Sequence, residues 1–146
     1  MFYKNLYSQN VNVNPNAHLF FFNNVTTPKL TENQKQFCDT DLTEEELLKT
    51  LKTFSKNKCP GLDGITAEFY IKFWDVVKDK LFQVYMDSFL LGILPECMRT
   101  GVVTLLEKKG KDRLELGSWR PITLLNIDYK LLTQTLGLRL KCVVLS

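Results

Sequence analysis

A long stretch of helical periodicity over residues 66–91 is the sequence feature that most constrains the fold of this chain. Apolar and small residues recur there at the i, i+3, i+4, i+7 spacing that places side chains on one face of a helix. These residues are Tyr70, Phe73, Trp74, Val77, Leu81, Val84 and Ser88. Gly92 and Pro95 follow, and both residue types commonly end helices. The sequence therefore predicts one helix over residues 66–91, the longest element of the chain.

A second helix start is encoded at Thr43. Thr43 and Glu46 have the spacing of a capping box, and Leu42 and Leu47 have the spacing of a hydrophobic staple. The apolar face of this helix consists of Leu47, Leu48, Leu51 and Phe54. We therefore predict a short amphipathic helix that begins after Thr43.

One β-hairpin and a final helix complete the pattern. Residues 100–106 are a β-branched, apolar run typical of a strand, residues 108–112 form a basic turn, and residues 119–125 read as the returning strand. Pro121 places that strand at a sheet edge. From Ile127 the helical spacing returns in Leu131, Leu132, Thr135, Leu136 and Leu140. The predicted fold class is α+β, mostly helical, with one β-hairpin.

Composition excludes several classes of protein. The chain has 146 residues, 45% hydrophobic and 24% charged, which suits one globular domain. No apolar run approaches the roughly 18 residues of a membrane span, and the N-terminus lacks a signal-peptide pattern. We therefore expect an intracellular protein, cytoplasmic or nuclear, that is neither secreted nor bound to a membrane.

Cysteines, histidine and acidic pairs give no strong metal signal. No two of the four cysteines form a C-x-x-C pair, and the single histidine is His18. These spacings predict free thiols and no zinc site. Asp39 and Asp41 have the spacing of a metal-binding pair, but the helix start just after them favours capping and helix-dipole roles. We predict no metal ligands in this chain.

Positive charge is concentrated near the C-terminal end. The net charge is +3, while residues 107–141 alone contain eight basic and four acidic residues, for a net charge of +4. Such a segment fits a polyanion partner, RNA or DNA. It equally fits a solvated basic surface, and both interpretations stay open at this point.

Four motifs occur in a recognisable order. They are N-K-C-P-G-L-D-G at residues 57–64, E-F-Y at 68–70, L-E-K-K-G-K-D at 106–112, and W-R-P-I-T-L-L-N at 119–126 followed by D-Y-K at 128–130. Together they resemble the fingers region of the LINE-type reverse transcriptases of non-LTR retrotransposons. F-Y-K-N-L-Y at residues 2–7 resembles the segment leading into that polymerase, so the resemblance covers residues 1 to about 141.

The resemblance implies a partial reverse-transcriptase fingers subdomain. Residues 1–40 would be an N-terminal extension and residues 41–146 a truncated fingers region. The family adds nucleotides on a template with two carboxylate-bound metal ions. The family continues after the last helix to an F-x-D motif and then an aromatic-x-D-D motif, and neither follows that helix here; Y-M-D-S at residues 85–88 lies before the hairpin, within the predicted long helix. We therefore expect no catalytic residue and no cofactor in this chain, with Mg²⁺ implied only for the complete polymerase.

The resemblance also assigns candidate site residues. Lys108 and Arg120 would face the nucleotide triphosphate. The template-side loop would contain Pro60, Gly61, Asp63 and Gly64. Further candidate phosphate contacts are Lys109, Lys111 and Lys130.

Each of these assignments has a structural alternative. Lys108 fits an exposed turn lysine, Arg120 fits a surface ion pair with Asp128, and Asp63 fits a helix cap. Glu107 departs from the family pattern, since it adds a negative charge where the family usually has proline. For the whole chain the alternatives are a nucleic-acid-binding module and a helical interaction module whose exposed core faces dock a partner protein or a second copy of the chain.

Overall fold

A computed structural model describes residues 29–144 together with Tyr3, Lys4 and Ser8. In chain order the elements are α1 (Glu32–Asp39), α2 (Glu44–Leu51), α3 (Ala67–Lys72), α4 (Trp74–Leu91), α5 (Glu96–Arg99), β1 (Val102–Glu107), a 3-10 turn (Leu116–Ser118), β2 (Trp119–Leu124) and α6 (Ile127–Val144). The two strands form one antiparallel sheet. The predicted fold class, α+β and mostly helical with one hairpin, is confirmed.

Helix α1 lies within residues that the sequence analysis assigned to an extension. Thr31 caps it, because its side chain accepts a hydrogen bond from the Gln34 backbone while the Gln34 side chain accepts one from Thr31. Tyr3 and Lys4 are helical. Apart from these two residues and Ser8, residues 1–28, and with them most of the predicted extension, lie outside the described part of the chain.

Helix α2 begins as its sequence predicts. The Thr43 hydroxyl accepts a hydrogen bond from the Glu46 backbone, and the Glu46 carboxylate accepts one from the Thr43 backbone. Leu47 and Leu51 are completely buried in the core of the molecule. The helix therefore begins where its capping box predicts and turns its predicted apolar face toward the core.

The single long helix predicted over residues 66–91 is wrong in one respect, because it breaks at Phe73. Phe73 has φ −109° and ψ 22°, so it ends α3 and precedes α4. Tyr70 and Trp74, on either side of the break, are both buried, while Phe73, predicted on the core face, is 42% exposed. Gly92 ends α4 in the left-handed conformation with φ 68°, as the sequence predicts.

The core lies between α2, α3, α4 and α6. Its completely buried side chains are Leu47, Leu51, Tyr85 and Leu131. The Tyr85 hydroxyl donates a 2.7 Å hydrogen bond to the Asp128 carbonyl, which satisfies the one polar group that this ring buries. Tyr85 therefore fixes α4 against the first turn of α6.

Helix α6 buries three of its five predicted core residues, Leu131, Leu132 and Thr135. Its buried stripe follows every fourth residue and also includes Ile127, Arg139 and Val143. Leu140, predicted on the core face, is 57% exposed. Arg139 is buried because its guanidinium contacts both carboxylate oxygens of Glu46 and the carbonyls of Thr40 and Asp41. The helix thus docks onto the junction of α1 and α2 through a charged residue.

The hairpin packs little of its surface. Val103 is 60% exposed and Leu106 50% exposed, although they lie on opposite faces of the sheet. An isolated two-stranded sheet is marginally stable in water, and packing against other elements is what stabilises it. No helix within the described residues is both long and apolar enough to cross a membrane.

Candidate functional site

The strand register places Lys108 and Arg120 on the same face of the hairpin. Leu106 is opposite Arg120, and Glu107 is opposite Trp119. The ladder continues one step further, since the Lys108 N–H donates to the Ser118 carbonyl at 2.8 Å. Because strand side chains alternate between faces, Leu106, Lys108 and Arg120 share one face, which we name the cation face.

Neither cation of this face is neutralised by an acid within the described residues. The Lys108 ammonium donates to the Gly117 carbonyl at 2.7 Å, and an ammonium has three donors, so two remain for a ligand. Arg120 is exposed. The alternative ion pair with Asp128 is not formed, and the Asp128 carboxylate accepts the Tyr129 N–H at 2.6 Å.

Glu107, the acidic departure from the family pattern, points to the other face. Its carboxylate lies 2.8 Å from the Arg113 guanidinium, and this hydrogen bond holds the pKa of Glu107 below its usual value. The Trp119 indole, also on that face, donates to the Arg113 carbonyl at 3.1 Å. The negative charge is therefore paired on the face opposite the two cations, and it does not compete for them.

The remaining turn cations lie beyond the strands. Lys109 and Lys111 are exposed, and the intervening Gly110 has φ 75°, a conformation that glycine adopts without strain. The Lys111 N–H donates to the Lys108 carbonyl at 3.2 Å, which closes the turn. Both lysines therefore stay at the tip of the hairpin, next to the cation face.

The loop of residues 60–64 packs against the start of α6. Gly61 lies so close to Asn126 that a Cβ there would be 2.4 Å from the Asn126 backbone nitrogen. The Asp63 N–H points to the Asn126 side-chain oxygen at 3.4 Å, a long and weak contact. Gly64 has φ 72°. Pro60, Gly61, Asp63 and Gly64 thus form one tight turn that needs glycine at two positions for different reasons.

Asp63 does not cap a helix, so that alternative is wrong. Its carboxylate accepts the Ile65 N–H at 3.0 Å, an Asx turn inside the loop. The N-cap of α3 is Thr66, whose side chain makes no capping hydrogen bond.

Asn126 is a structural connection that the sequence analysis missed. It is 3% exposed, and its side-chain nitrogen donates to the Cys97 carbonyl at 3.1 Å. One residue, Leu125, separates it from the end of β2, the strand that carries Arg120. Asn126 therefore links the 60–64 loop, α5 and the end of the hairpin. Its place in the W-R-P-I-T-L-L-N motif is the only sequence signal that could have drawn attention to it.

Lys130 is separated from the hairpin. It is half-buried on α6 and lines a cleft together with Lys58, and no hairpin residue lines that cleft. The structure therefore divides the predicted phosphate contacts between two surfaces. Two other basic residues of the positive segment form ion pairs: Arg113 with Glu107 and Arg139 with Glu46.

No metal centre is formed in the described part of the chain: it brings together no group of three His, Cys, Asp or Glu side chains. Asp39 ends α1, and the Asp41 carbonyl accepts a 2.7 Å hydrogen bond from Arg139. The four cysteines are unpaired with one another. The expectation that this chain holds no metal stays a prediction.

Sequence comparison adds the following relatives. The chain is 38% identical over 143 residues to a 149 kDa protein of transposon TX1 from Xenopus laevis, covering 98% of this chain and 11% of that protein. It is 30% identical over 87 residues to a retrovirus-related Pol polyprotein from the type-1 retrotransposable element R1 of Bradysia coprophila, covering 59% of this chain and 9% of the polyprotein. A 115 kDa protein of element R1DM from Drosophila melanogaster is 32% identical over 100 residues, covering 60% of this chain and 10% of that protein.

The homologues of this chain are retrotransposon-encoded proteins. The chain spans about a tenth of the length of these relatives. No protein-family model matches it. The retrotransposon origin expected from the four motifs is thereby supported.

Proposed function

We propose that this chain is part of the fingers region of an RNA-directed DNA polymerase from a LINE-type retrotransposon, and that its cation face binds the triphosphate of the incoming nucleotide. The observation that carries the proposal is the strand register, which puts Lys108 and Arg120 on one face. The relationship to retrotransposon proteins, one of them a Pol polyprotein, supports the same assignment.

The two cations suit a triphosphate for complementary reasons. The Arg120 guanidinium offers a planar fork that matches two phosphate oxygens, and the Lys108 ammonium supplies a compact charge with two uncommitted donors. Charge-assisted hydrogen bonds of this kind are roughly twice as strong as neutral ones. Because Glu107 is paired on the opposite face, no acid within the described chain offsets them.

Titration of the isotope-labelled chain with dTTP, followed by NMR at a backbone amide of the hairpin, tests this proposal. We expect dTTP to shift the signal at lower concentrations than dTMP, since only dTTP offers several phosphates to both cations. Lys108→Gln and Arg120→Gln should each weaken dTTP binding several-fold, whereas Lys141→Gln, an exposed lysine on α6, should leave it unchanged. Equal affinities for dTTP in all three variants would contradict the proposal.

We also propose that the chain alone does not polymerise DNA, because the family places its metal-binding carboxylates in motifs after the last helix, and these 146 residues contain neither motif there. Primer extension on an RNA template with Mg²⁺ or Mn²⁺ is the measurement. No incorporation is expected, and sustained incorporation would overturn this part of the proposal without affecting triphosphate binding.

A further inference from the structure

Strand β1 has an open hydrogen-bonding edge. Within the described residues β1 pairs with β2 and with no other strand. The Lys108 N–H bonds to the Ser118 carbonyl, and bonded and free positions alternate along an antiparallel strand, so Val103, Leu105 and Glu107 direct their backbone groups away from β2. β1 is exposed at five of its six positions and β2 at three of six. β1 therefore offers the more accessible edge to an incoming strand.

The sequence of β1 is complementary to itself in one antiparallel register. A two-fold axis through Thr104 would set Val103 of one copy opposite Leu105 of the other, and the free backbone groups of both residues would meet. On the cation face, the same axis would set Val102 opposite Leu106 of the second copy and Thr104 opposite itself. Apolar side chains would thus face apolar side chains, and Thr–Thr pairs also stabilise neighbouring strands.

This register also avoids a clash of charges. Glu107 is the single charged residue of β1, and it would fall opposite Gly101 of the second copy. Its carboxylate is already paired with Arg113 of its own hairpin. An axis through Leu105 would instead set Glu107 against the apolar Val103, and an axis through Val103 would shorten the paired region. The register centred on Thr104 is therefore the best one that the free edge allows.

We propose that two copies of this chain associate through β1, antiparallel about Thr104, and form one four-stranded sheet. Each copy uses the same edge, so the contact is symmetric and closes after two chains. The pairing shields Val103 and Leu105, which are 60% and 42% exposed in the single chain. One strand per copy is a small interface, so we expect a weak, concentration-dependent dimer.

Sedimentation equilibrium of the full chain from about 10 µM to about 1 mM measures the association. Val103→Pro removes a free N–H from β1 without removing a bond to β2, and it should weaken dimerisation about ten-fold or more. The matched control is Thr123→Pro, because Thr123 lies opposite Val103 in the hairpin and its N–H faces the other side of the sheet. This control should dimerise like the unmodified chain.

A cysteine on the proposed axis tests the register and keeps the backbone unchanged. In Thr104→Cys the two new thiols would belong to a non-hydrogen-bonded pair, whose Cα atoms lie about 4.5 Å apart, within the range of disulfides. Oxidation should therefore give a covalent dimer linked between the two residues 104, identified by mass spectrometry of its peptides. Thr123→Cys is the control and should form no such self-linked dimer.

Three results would each overturn the proposal. They are a chain that stays monomeric up to about 1 mM, an equal weakening of dimerisation by Val103→Pro and Thr123→Pro, and a Thr104→Cys chain that does not link to itself in preference to the native cysteines. The proposal is independent of triphosphate binding: Lys108→Gln should impair dTTP binding and leave dimerisation unchanged, so either proposal can fail alone.

Discussion

At Arg139 a charged side chain occupies a position where the helix spacing of α6 requires burial. It is 6% exposed, and its guanidinium forms a two-pronged contact with the Glu46 carboxylate. Arginine suits this place because its fixed fork also reaches the carbonyls of Thr40 and Asp41. Glu46 in turn caps α2, so one carboxylate serves both the start of a helix and the burial of a cation.

The hydrogen bond from Arg139 lowers the pKa of Glu46 from its usual value near 4.5. A lowered carboxylate pKa contributes stability above the unfolded-state pKa, and that contribution is lost as pH falls through the folded-state pKa. Glu46→Gln should therefore reduce the free energy of unfolding at pH 7 and show a smaller further loss on acidification to pH 3. Urea denaturation at both pH values measures this.

Glu45→Gln is the control for that experiment, since Glu45 is exposed on the same helix turn. If the two variants lose stability with the same pH dependence, Glu46 has no special role in burying Arg139.

Two glycines are expected to respond to alanine in opposite directions. Gly61→Ala should lower the free energy of unfolding by about 1–3 kcal/mol, because the new Cβ meets the backbone of residues 125 and 126. Gly137→Ala should raise it by about 0.5–1 kcal/mol, because Gly137 lies inside α6 with no neighbour in the way. Thermal and urea unfolding measure both, and a neutral Gly61→Ala would mean that the 60–64 loop is not packed on Asn126.

At the scale of elements, local sequence signals fix most helix starts and ends, but not the break within the longest predicted helix. The capping box at Thr43 and the left-handed Gly92 are readable from neighbouring residues. The capping box of Thr31 and Gln34 is readable in the same way, and α1 was overlooked although that signal is present. The break at Phe73 has no proline or glycine to announce it, and no local sequence signal predicts it.

The candidate site is predictable only where it depends on alternation along a strand. Lys108 and Arg120 share a face because of the register, but the connection between β1 and β2 is too long for a two-residue turn to dictate that register. The Asp63–Asn126 contact joins residues 63 positions apart, and no pattern in one sequence reveals such a partner. The cleft lysine Lys58 was missed for the same reason, since Lys130 lies far away in the chain.

Asn126 should act as the connection between three elements. Asn126→Ala leaves the Cys97 carbonyl and the Asp63 N–H without this partner, which should lower the free energy of unfolding by about 1–3 kcal/mol. Amide hydrogen exchange of the 60–64 loop should accelerate more than that of α2. The control is Gln134→Ala, which removes an exposed hydrogen bond and should change the free energy of unfolding by less than about 0.5 kcal/mol. If Asn126→Ala and Gln134→Ala lower the free energy of unfolding equally, Asn126 does not have this role.

At the scale of the whole molecule, the helices share a core from which the hairpin is largely excluded. The completely buried side chains come from α2, α4 and α6, whereas both faces of the hairpin expose apolar residues. Contiguous exposed apolar surface of this kind commonly marks an interaction site. In relatives roughly ten times as long as this chain, further polypeptide is available to cover it.

Uneven packing predicts uneven local stability. Hydrogen exchange monitored by mass spectrometry should show rapid exchange in peptides covering β1 and β2 and strong protection in α2 and in the first turns of α6, because opening of the hairpin exposes little additional surface. Protection of the hairpin equal to that of α6 would contradict this expectation.

Pro121 makes the two borders of this small sheet unequal. The Lys108–Ser118 hydrogen bond and the register show that the even-numbered residues of the two strands form the hydrogen bonds between them. The backbone N–H and C=O groups of the odd-numbered residues therefore point away from the sheet. These residues include Val103 and Leu105 on the β1 border and Pro121 on the β2 border. Proline has no N–H to offer an incoming strand, whereas Val103 and Leu105 keep theirs. Thr123 on the β2 border also keeps its N–H, so growth of the sheet, whether by native assembly or by misfolded aggregation, is favoured at β1 over β2.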